Sequence, residues 1–436
     1  MATMPSRYRE VLDGPVPSYL LAQLPSGAAP PSLGEIVDRL ERCEMPLYGS
    51  EVVATPTLQD AEWQLRVRLG DGNGGSCELD LWLTPSEALE EAHVEWGHLT
   101  QEDLQASRSS PWSLGVSGAF GDHALDDFHR HIQALAAVAP DAVTVLDLAA
   151  CWPRSGEWLR EIASTRVPPA PANLFCVHAV YDDAAAGDTV WLHTHGLLRC
   201  GSIELEMLGV PRDRAGLMAN LIHATATMFI EKGPPVPEEP FGVGAAMSLL
   251  WIPWEEGIRS LPRQTEGGRT DRDESHSQPS GILLAPGRRR MGLWSAAHRN
   301  PTCYLPLLQN DPLLFVSHLE TERMALLARE RLATFSALLA AFADDDEWLF
   351  LVKLGYQIEG ARSANDREHL WFRVHALRDG LVDATLLNEP YHVPELKEGQ
   401  RGMRELELLS DWSVLTPFGR FDPDNIMRLK KIAAGG

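Results

Sequence analysis

The residues of this chain best placed to do chemistry lie between Trp191 and Glu206, in the stretch WLHTHGLLRCGSIELE. His193 and His195 stand two apart, and so do Glu204 and Glu206. Side chains two apart on a β-strand share a face. If the stretch is a hairpin turning at Cys200-Gly201, Leu198 lies opposite Ile203 and His195 opposite Glu206. All four ligand-type side chains then share one face. Two imidazoles and two carboxylates suit zinc, manganese or iron. His223, on the helix expected next, could add a ligand. An ion held there could polarise an ester or amide and activate water, which is hydrolase chemistry. The same spacing also fits a structural cluster, with the rings packed on Trp191 and the Glu-Leu-Glu shaping a strand. Spacing alone does not separate the two.

A second set lies in Glu368–His375, EHLWFRVH. On a strand, His369, Trp371, Arg373 and His375 face one way and Leu370, Phe372 and Val374 face the core. The first group is either an outer sheet face or a binding surface rich in Trp and Arg, as interfaces often are. Asn388-Glu389-Pro390 is a turn signal. Asp411 can bond nearby backbone amides, with Trp412 capping a small core. Both motifs, Asn388 with Pro390 and Asp411 with Trp412, are expected to be structural. No GxSxG elbow or phosphate-binding loop is present, and Gly242-Val243-Gly244 is too short for a dinucleotide fingerprint. No motif calls for a cofactor, so a divalent transition metal at the hairpin is the one the residues accommodate.

The elements that would position these residues follow from pattern. Ser32 with Glu35 forms a capping box ahead of a helix. Residues 62–69 and 77–83 alternate around GDGNGGS, a hairpin signal. A strand is expected at 112–120, an amphipathic helix at 124–138 and a buried strand at 142–149. Further strands are expected at 175–181, 190–198, 203–208 and 241–252, with a helix at 211–231. A long helix is expected at 319–342, and short strands at 348–356, 369–377, 381–387 and 403–409 suggest a curled sheet or partly closed barrel. The fold class is therefore α+β. The expected organisation is an extended lead-in over 1–32 and an α+β domain over 33–258, with a subdomain break near 165. A polar linker or loop over 259–290 leads to a C-terminal β domain with its helix over 291–436.

Composition narrows the partners. Of 436 residues, Lys and Arg total 38 against 61 Asp and Glu, a formal net charge of −23. Phosphate backbones and anionic membranes are repelled at that charge, so neither nucleic acid nor membrane is expected as a partner. The one dense basic run is Arg288-Arg289-Arg290. The six cysteines form no CxxC pair, no apolar run reaches about 20 residues, and the N-terminus lacks a signal-peptide layout. A cytoplasmic location is the simplest expectation.

The C-terminal motifs, taken in order, resemble the YegJ-like bacterial family of unknown function. They are Phe350-Leu351-Val352-Lys353, Glu368-His369-Leu370-Trp371, Leu387-Asn388-Glu389-Pro390, the KEGQ turn and Ser410-Asp411-Trp412. The preceding helix, with Glu320-Thr321 and Ala333-Thr334-Phe335, fits its lead-in. The resemblance spans about 319–420, with Gln400 where such proteins often carry Asp. Residues 110–255 resemble other uncharacterised bacterial proteins sharing Thr194-His195-Gly196-Leu197, Glu204-Leu205-Glu206 and Phe241-Gly242-Val243-Gly244. These resemblances imply fold and a bacterial cytosol, and carry over no catalytic residue. The leading expectation is a non-enzymatic binding module with a protein partner, immunity-like or regulatory. The alternative is a metal-dependent hydrolase built on His193, His195, Glu204 and Glu206.

Overall fold

The computed structural model describes residues 4–427 and 429, apart from 15, 44, 59, 71–74, 96–97, 182–187, 245, 261–265, 273–275, 288, 291–293, 296–297, 311–313, 315–316, 359 and 362–365, and without the side chains of 95, 260, 289–290 and 294–295. The fold is α+β and divides into two units, residues 1–317 and 318–436. The first seven strands are β1 (Ser18–Gln23), β2 (Leu47–Val52), β3 (Trp63–Gly70), β4 (Ser76–Pro85), β5 (Trp112–Gly118), β6 (Thr144–Asp147) and β7 (Trp152–Ser155). They form one sheet in the order β2-β3-β4-β5-β1-β6-β7, every pair antiparallel. Alternation decides its faces: Leu65, Val67 and Leu69 of β3 are buried, while Arg66 and Arg68 turn outward to Asp80 and Glu78, each at 3.0 Å. The helix Ala124–Val138 buries Phe128, Ile132 and Leu135 against this sheet's core. Ser32 and Glu35 make the expected capping box of the helix Leu33–Glu41. Residues 1–32 differ from an extended lead-in. They hold a helix, Ser6–Asp13, and β1, which lies between β5 and β6 with Leu20 and Ala22 fully buried. The apolar run is short enough that the flanking prolines dominate its pattern.

The second sheet holds β8 (Cys176–Val180), β9 (Thr189–His195), β10 (Glu204–Pro211), β11 (Phe241–Gly244), β12 (Met247–Pro253) and β13 (Ser280–Leu284). Its order is β11-β12-β13-β10-β9-β8, with β10 and β13 parallel and the other pairs antiparallel. The helix Ala215–Lys232 packs against β8, β9 and β10. The strand expected over 241–252 is two strands, folded back on each other between Gly244 and Met247. The polar stretch 259–290 does not lie between the two units: it contains β13, a strand of this sheet, and the units divide at 317/318. The polar composition before it hides this strand, whose Ser280, Gly281, Ile282 and Leu283 are buried. The two sheets share one hydrophobic core. They are also joined by the fully buried pair Arg199–Asp147, whose guanidinium and carboxylate meet in two 2.8 Å bonds. β14 (Arg289–Arg290) and β15 (Trp294–Ser295) pair as a short ladder.

The second unit carries β16 (Leu349–Gln357), β17 (Arg367–Arg378), β18 (Leu381–Leu386), β19 (Arg401–Glu405), β20 (Leu409–Thr416) and β21 (Gly419–Phe421). They form an open antiparallel sheet, β19-β18-β17-β16-β20-β21, which does not close into a barrel. The single helix expected over 319–342 is two, His318–Glu330 and Leu332–Phe342, broken at Arg331, whose guanidinium donates to the Pro423 carbonyl. Trp412 is fully buried, donates from Nε1 to the Ala328 carbonyl at 2.9 Å and packs on Phe335. Among the described residues no helix is long and apolar enough to cross a membrane.

Candidate metal centre

Strand register brings the histidines together. β9 is flanked by β10, with Glu206 opposite His193, and by β8, with His178 opposite His193 and Cys176 opposite His195. The expected hairpin had Glu206 opposite His195. The observed register differs by two because the chain does not turn tightly at Cys200-Gly201. Leu198–Cys200 forms a 3₁₀ turn and Gly201 is left-handed. A shift of two keeps each side chain on its face. Gly196, before that turn, has φ +114°, and a Cβ there would lie 2.3 Å from the Leu174 carbonyl oxygen, so only glycine fits.

The two glutamates are engaged elsewhere. Glu204 Oε1 accepts the backbone N–H groups of Gly196 and Leu197 at 2.9 Å and Leu198 at 3.3 Å, while Oε2 accepts the Thr194 hydroxyl at 2.6 Å. It ties down the turn. Burial pushes its carboxyl up to about 7, against the downward pull of those hydrogen bonds. Glu206 makes a two-pronged pair with Arg272, at 2.9 and 2.6 Å, and also accepts Trp191 Nε1 at 3.1 Å and the Ser280 hydroxyl. The side chains of Glu206 and Arg272 are each only 2% exposed.

The imidazoles converge without them. His193 Nε2 lies 3.1 Å from His195 Nε2 and 3.2 Å from His276 Nε2. One nitrogen from each of His178, His193 and His195 falls within a mutual 4.8 Å. His178 Nε2 is buried and has no hydrogen-bond partner among the described residues. A neutral ring nitrogen offers either one proton or one lone pair, in one direction. His193 Nε2 therefore cannot make a straight hydrogen bond to both neighbours, whereas a cation between the rings satisfies all of them. Burial, reinforced by the neighbouring histidines and Arg272, holds the His193 imidazole down to about 2; burial also lowers His178. Both rings are thus kept in the neutral form that a metal requires. The cavity lined by Trp191, His193, His195, His276 and Ser280 measures about 20 Å³. A single water needs about 10–15 Å³ by the same measure, so there is room for one ion or water and little more.

His223 stays apart, packed on Phe175 at a 44° tilt with ring centroids 5.0 Å apart. His178 and His276 were missed from sequence. His178 sits in FCVHAVY, whose alternation marks a strand but not its neighbour. His276 sits in the polar stretch, where no periodicity points to it. Arg272 was missed for the same reason.

In the second unit His369, Trp371, Arg373 and His375 lie on β17, alternating with the buried Leu370, Phe372 and Val374. His369 bonds Ser410 and His375 bonds Thr385, each at 2.8 Å. Trp371 has Lys353 and Arg420 at 5.5 and 5.9 Å from its ring and borders a groove of about 340 Å³. Asn388 Oδ1 accepts the Trp371 backbone N–H at 3.0 Å, which ties the loop containing Pro390 to β17. Asp411 accepts the N–H of Trp412 at 2.7 Å, and burial pushes its carboxyl up to about 6.

Fold and site together define an α+β protein with a partly buried histidine cluster beside one sheet and a separate antiparallel sheet unit. Residues 18–169 match the family described as protein of unknown function DUF4026, N-terminal, and residues 177–284 match its C-terminal counterpart. Residues 328–418 match DUF2314, an uncharacterized protein conserved in bacteria, inside the stretch where a bacterial family was expected. The chain thus carries both DUF4026 domains followed by a DUF2314 domain. No curated protein and no solved structure matches it. The DUF4026 C-terminal match ends at Leu284, the last residue of β13, so all four clustered histidines fall within it.

Proposed function

We propose that this protein binds a transition-metal ion through His178, His193 and His195, as a non-enzymatic metal-holding protein of the bacterial cytoplasm. The observation that carries the reading is the convergence of three imidazole nitrogens within 4.8 Å of one another, beside a space the size of one ion. Glu204 and Glu206 support the site rather than ligate: one ties the turn after β9, the other holds Arg272. So small a cavity leaves no room for an ester or amide substrate, which weighs against the hydrolase alternative. Metal analysis of protein purified without a histidine tag should give one equivalent of zinc-class ion. A ligand at about 100-fold excess over its Kd stabilises by about 2.7 kcal/mol, so chelation should lower the melting temperature. His178→Ala and His195→Ala should each weaken binding severely. Sub-stoichiometric metal with an unchanged melting temperature on chelation would overturn the reading.

A second reading concerns the DUF2314 domain, whose YegJ-like kinship belongs to the same proposal. The groove beside Trp371, with Lys353 and Arg420 flanking the ring, favours a protein-binding face. Low-salt capture from the native host should recover a partner that Trp371→Ala loses. Retention of every interactor by that variant would remove this reading.

A further inference from the structure

Resting on the metal-binding reading, we infer that His276 is the fourth ligand and closes an all-imidazole, four-coordinate shell for a zinc-class divalent ion, with Arg272 as its positioning residue. Two of the nitrogen–nitrogen spacings, both from His193, are those of a shell. Bonds of about 2.0–2.1 Å in a tetrahedron set neighbouring nitrogens roughly 3.3–3.4 Å apart. The His193–His195 and His193–His276 nitrogen pairs, at 3.1 and 3.2 Å, are close to that edge. The rings of those pairs cross at 89° and 88°, as rings radiating from a common point do, rather than stacking flat.

His276 reaches the cluster from outside the strands, so something must hold it there. Arg272 does so. Its guanidinium is anchored on Glu206, lies 4.2 Å from the Trp254 ring centroid, and donates from Nη1 to the His276 carbonyl at 3.1 Å and from Nε to the Gly267 carbonyl at 3.1 Å. Gly267 itself has φ +77°, and a Cβ there would sit 2.6–2.7 Å from Leu208 and Trp191. The His276 carbonyl is thereby tied through Arg272 to Glu206 of β10 by contacts that involve no ion. A ligand held in place beforehand loses little freedom when the ion arrives.

The donor set defines the ion. Both nearby carboxylates are occupied by other donors, which leaves imidazole nitrogen alone. Magnesium and calcium, which need oxygen, are disfavoured; zinc-class ions accept four imidazoles. A shell filled by four protein ligands has no position for an activated water, which is the arrangement of structural rather than catalytic zinc.

Cobalt(II) loaded into the metal-free full-length protein tests this, because its visible absorption reports coordination number. The wild type should take one equivalent, show the intense bands of a four-coordinate ion, and remain unchanged when azide is added. His276→Ala should still bind cobalt through the other three histidines, about 10–100-fold more weakly, and its spectrum should now shift with azide and return toward wild type with free imidazole. His276→Asn, with far-UV circular dichroism, guards against a misfolded variant. Arg272→Met should weaken binding and gain azide sensitivity while His276 is present, and Arg272→Lys should restore part of both. A variant spectrum identical to wild type, or a wild type that responds to azide as the variant does, overturns the inference and leaves a three-histidine site standing. Failure of the wild type to bind cobalt or zinc at all overturns the metal reading itself.

Discussion

Replacing Arg199 by Met should be among the most damaging single changes in the first unit. Arg199 has no solvent exposure, and all five of its N–H donors are used. Nη1 donates to Ser18 Oγ at 3.0 Å and Asp147 Oδ1 at 2.8 Å; Nη2 donates to Asp147 Oδ2 at 2.8 Å and the Leu174 carbonyl at 2.6 Å; Nε reaches the same carbonyl at 3.2 Å. Its guanidinium also lies 4.6 Å from the Phe128 ring centroid. Arg199→Met leaves the Asp147 carboxylate buried, with the Ala150 N–H at 3.2 Å as a surviving donor. Removing one partner of such a pair costs about 3–5 kcal/mol, because the remaining charge is uncompensated. Asp147→Leu should cost a similar amount by stranding the guanidinium. The double replacement removes both charges and fills the space with apolar groups, so it should cost less than the sum by at least about 2 kcal/mol. Urea unfolding of the full chain, with the slope held common to the four proteins, measures the cycle. A loss below about 1 kcal/mol for Arg199→Met, or strict additivity, would refute the claim that this pair ties the two DUF4026 domains together.

Glu204→Gln should destabilise the protein by about 1–3 kcal/mol, since an amide cannot reproduce four accepted hydrogen bonds, yet leave metal stoichiometry intact; loss of the ion with unchanged stability would instead make Glu204 a ligand. His131 supplies a pH dependence. Burial, reinforced by Arg199 and Arg130, holds its imidazole down to about 3, whereas the unfolded chain protonates near 6.5. The unfolded state therefore takes up the proton first, so stability is full above about pH 6.5 and falls by up to about 1.4 kcal/mol per unit as the pH drops toward 3. Urea midpoints from pH 7 to 4 should show a shallower fall for His131→Gln, and parallel slopes would refute this origin.

Sequence pattern reached those parts of the fold whose partners are local. The hairpin of β3 and β4 follows from alternation around a glycine-rich turn, and the helix Ala124–Val138 from apolar residues spaced at one helical face. The shared side of His193 and His195 follows from the same period of two. What escaped depends on pairing between distant segments. Nothing in FCVHAVY says that β8 lies beside β9, and nothing in a polar run says that it carries His276 to Trp191 and His193. Carboxylates next to imidazoles looked like ligands because sequence does not show what else competes for them. Glu204 had three backbone N–H groups closer at hand, exposed by the turn it stabilises. In the second unit Ser410-Asp411-Trp412 read as a cap after the last strand, but the segment is itself the strand β20, whose inward Trp412 fills the core.

The parallel pairing of β10 with β13 sets an order on assembly. Glu204 meets Ser280 only after the helix Ala215–Lys232 and the β11–β12 hairpin have been made, since the connection runs through both. Such long-range pairing is slow to form, because the loop between the partners must close before any contact rewards it. On the ribosome, β8 and β9 emerge with three of the histidines well before His276 is synthesised. A nascent chain stopped short of residue 276 would offer a partial, more open set of imidazoles, and the complete cluster would appear only with the last strand of its sheet. The cluster is therefore a marker of finished folding for this domain, and chains truncated ahead of β13 should be the ones that bind metal loosely and indiscriminately.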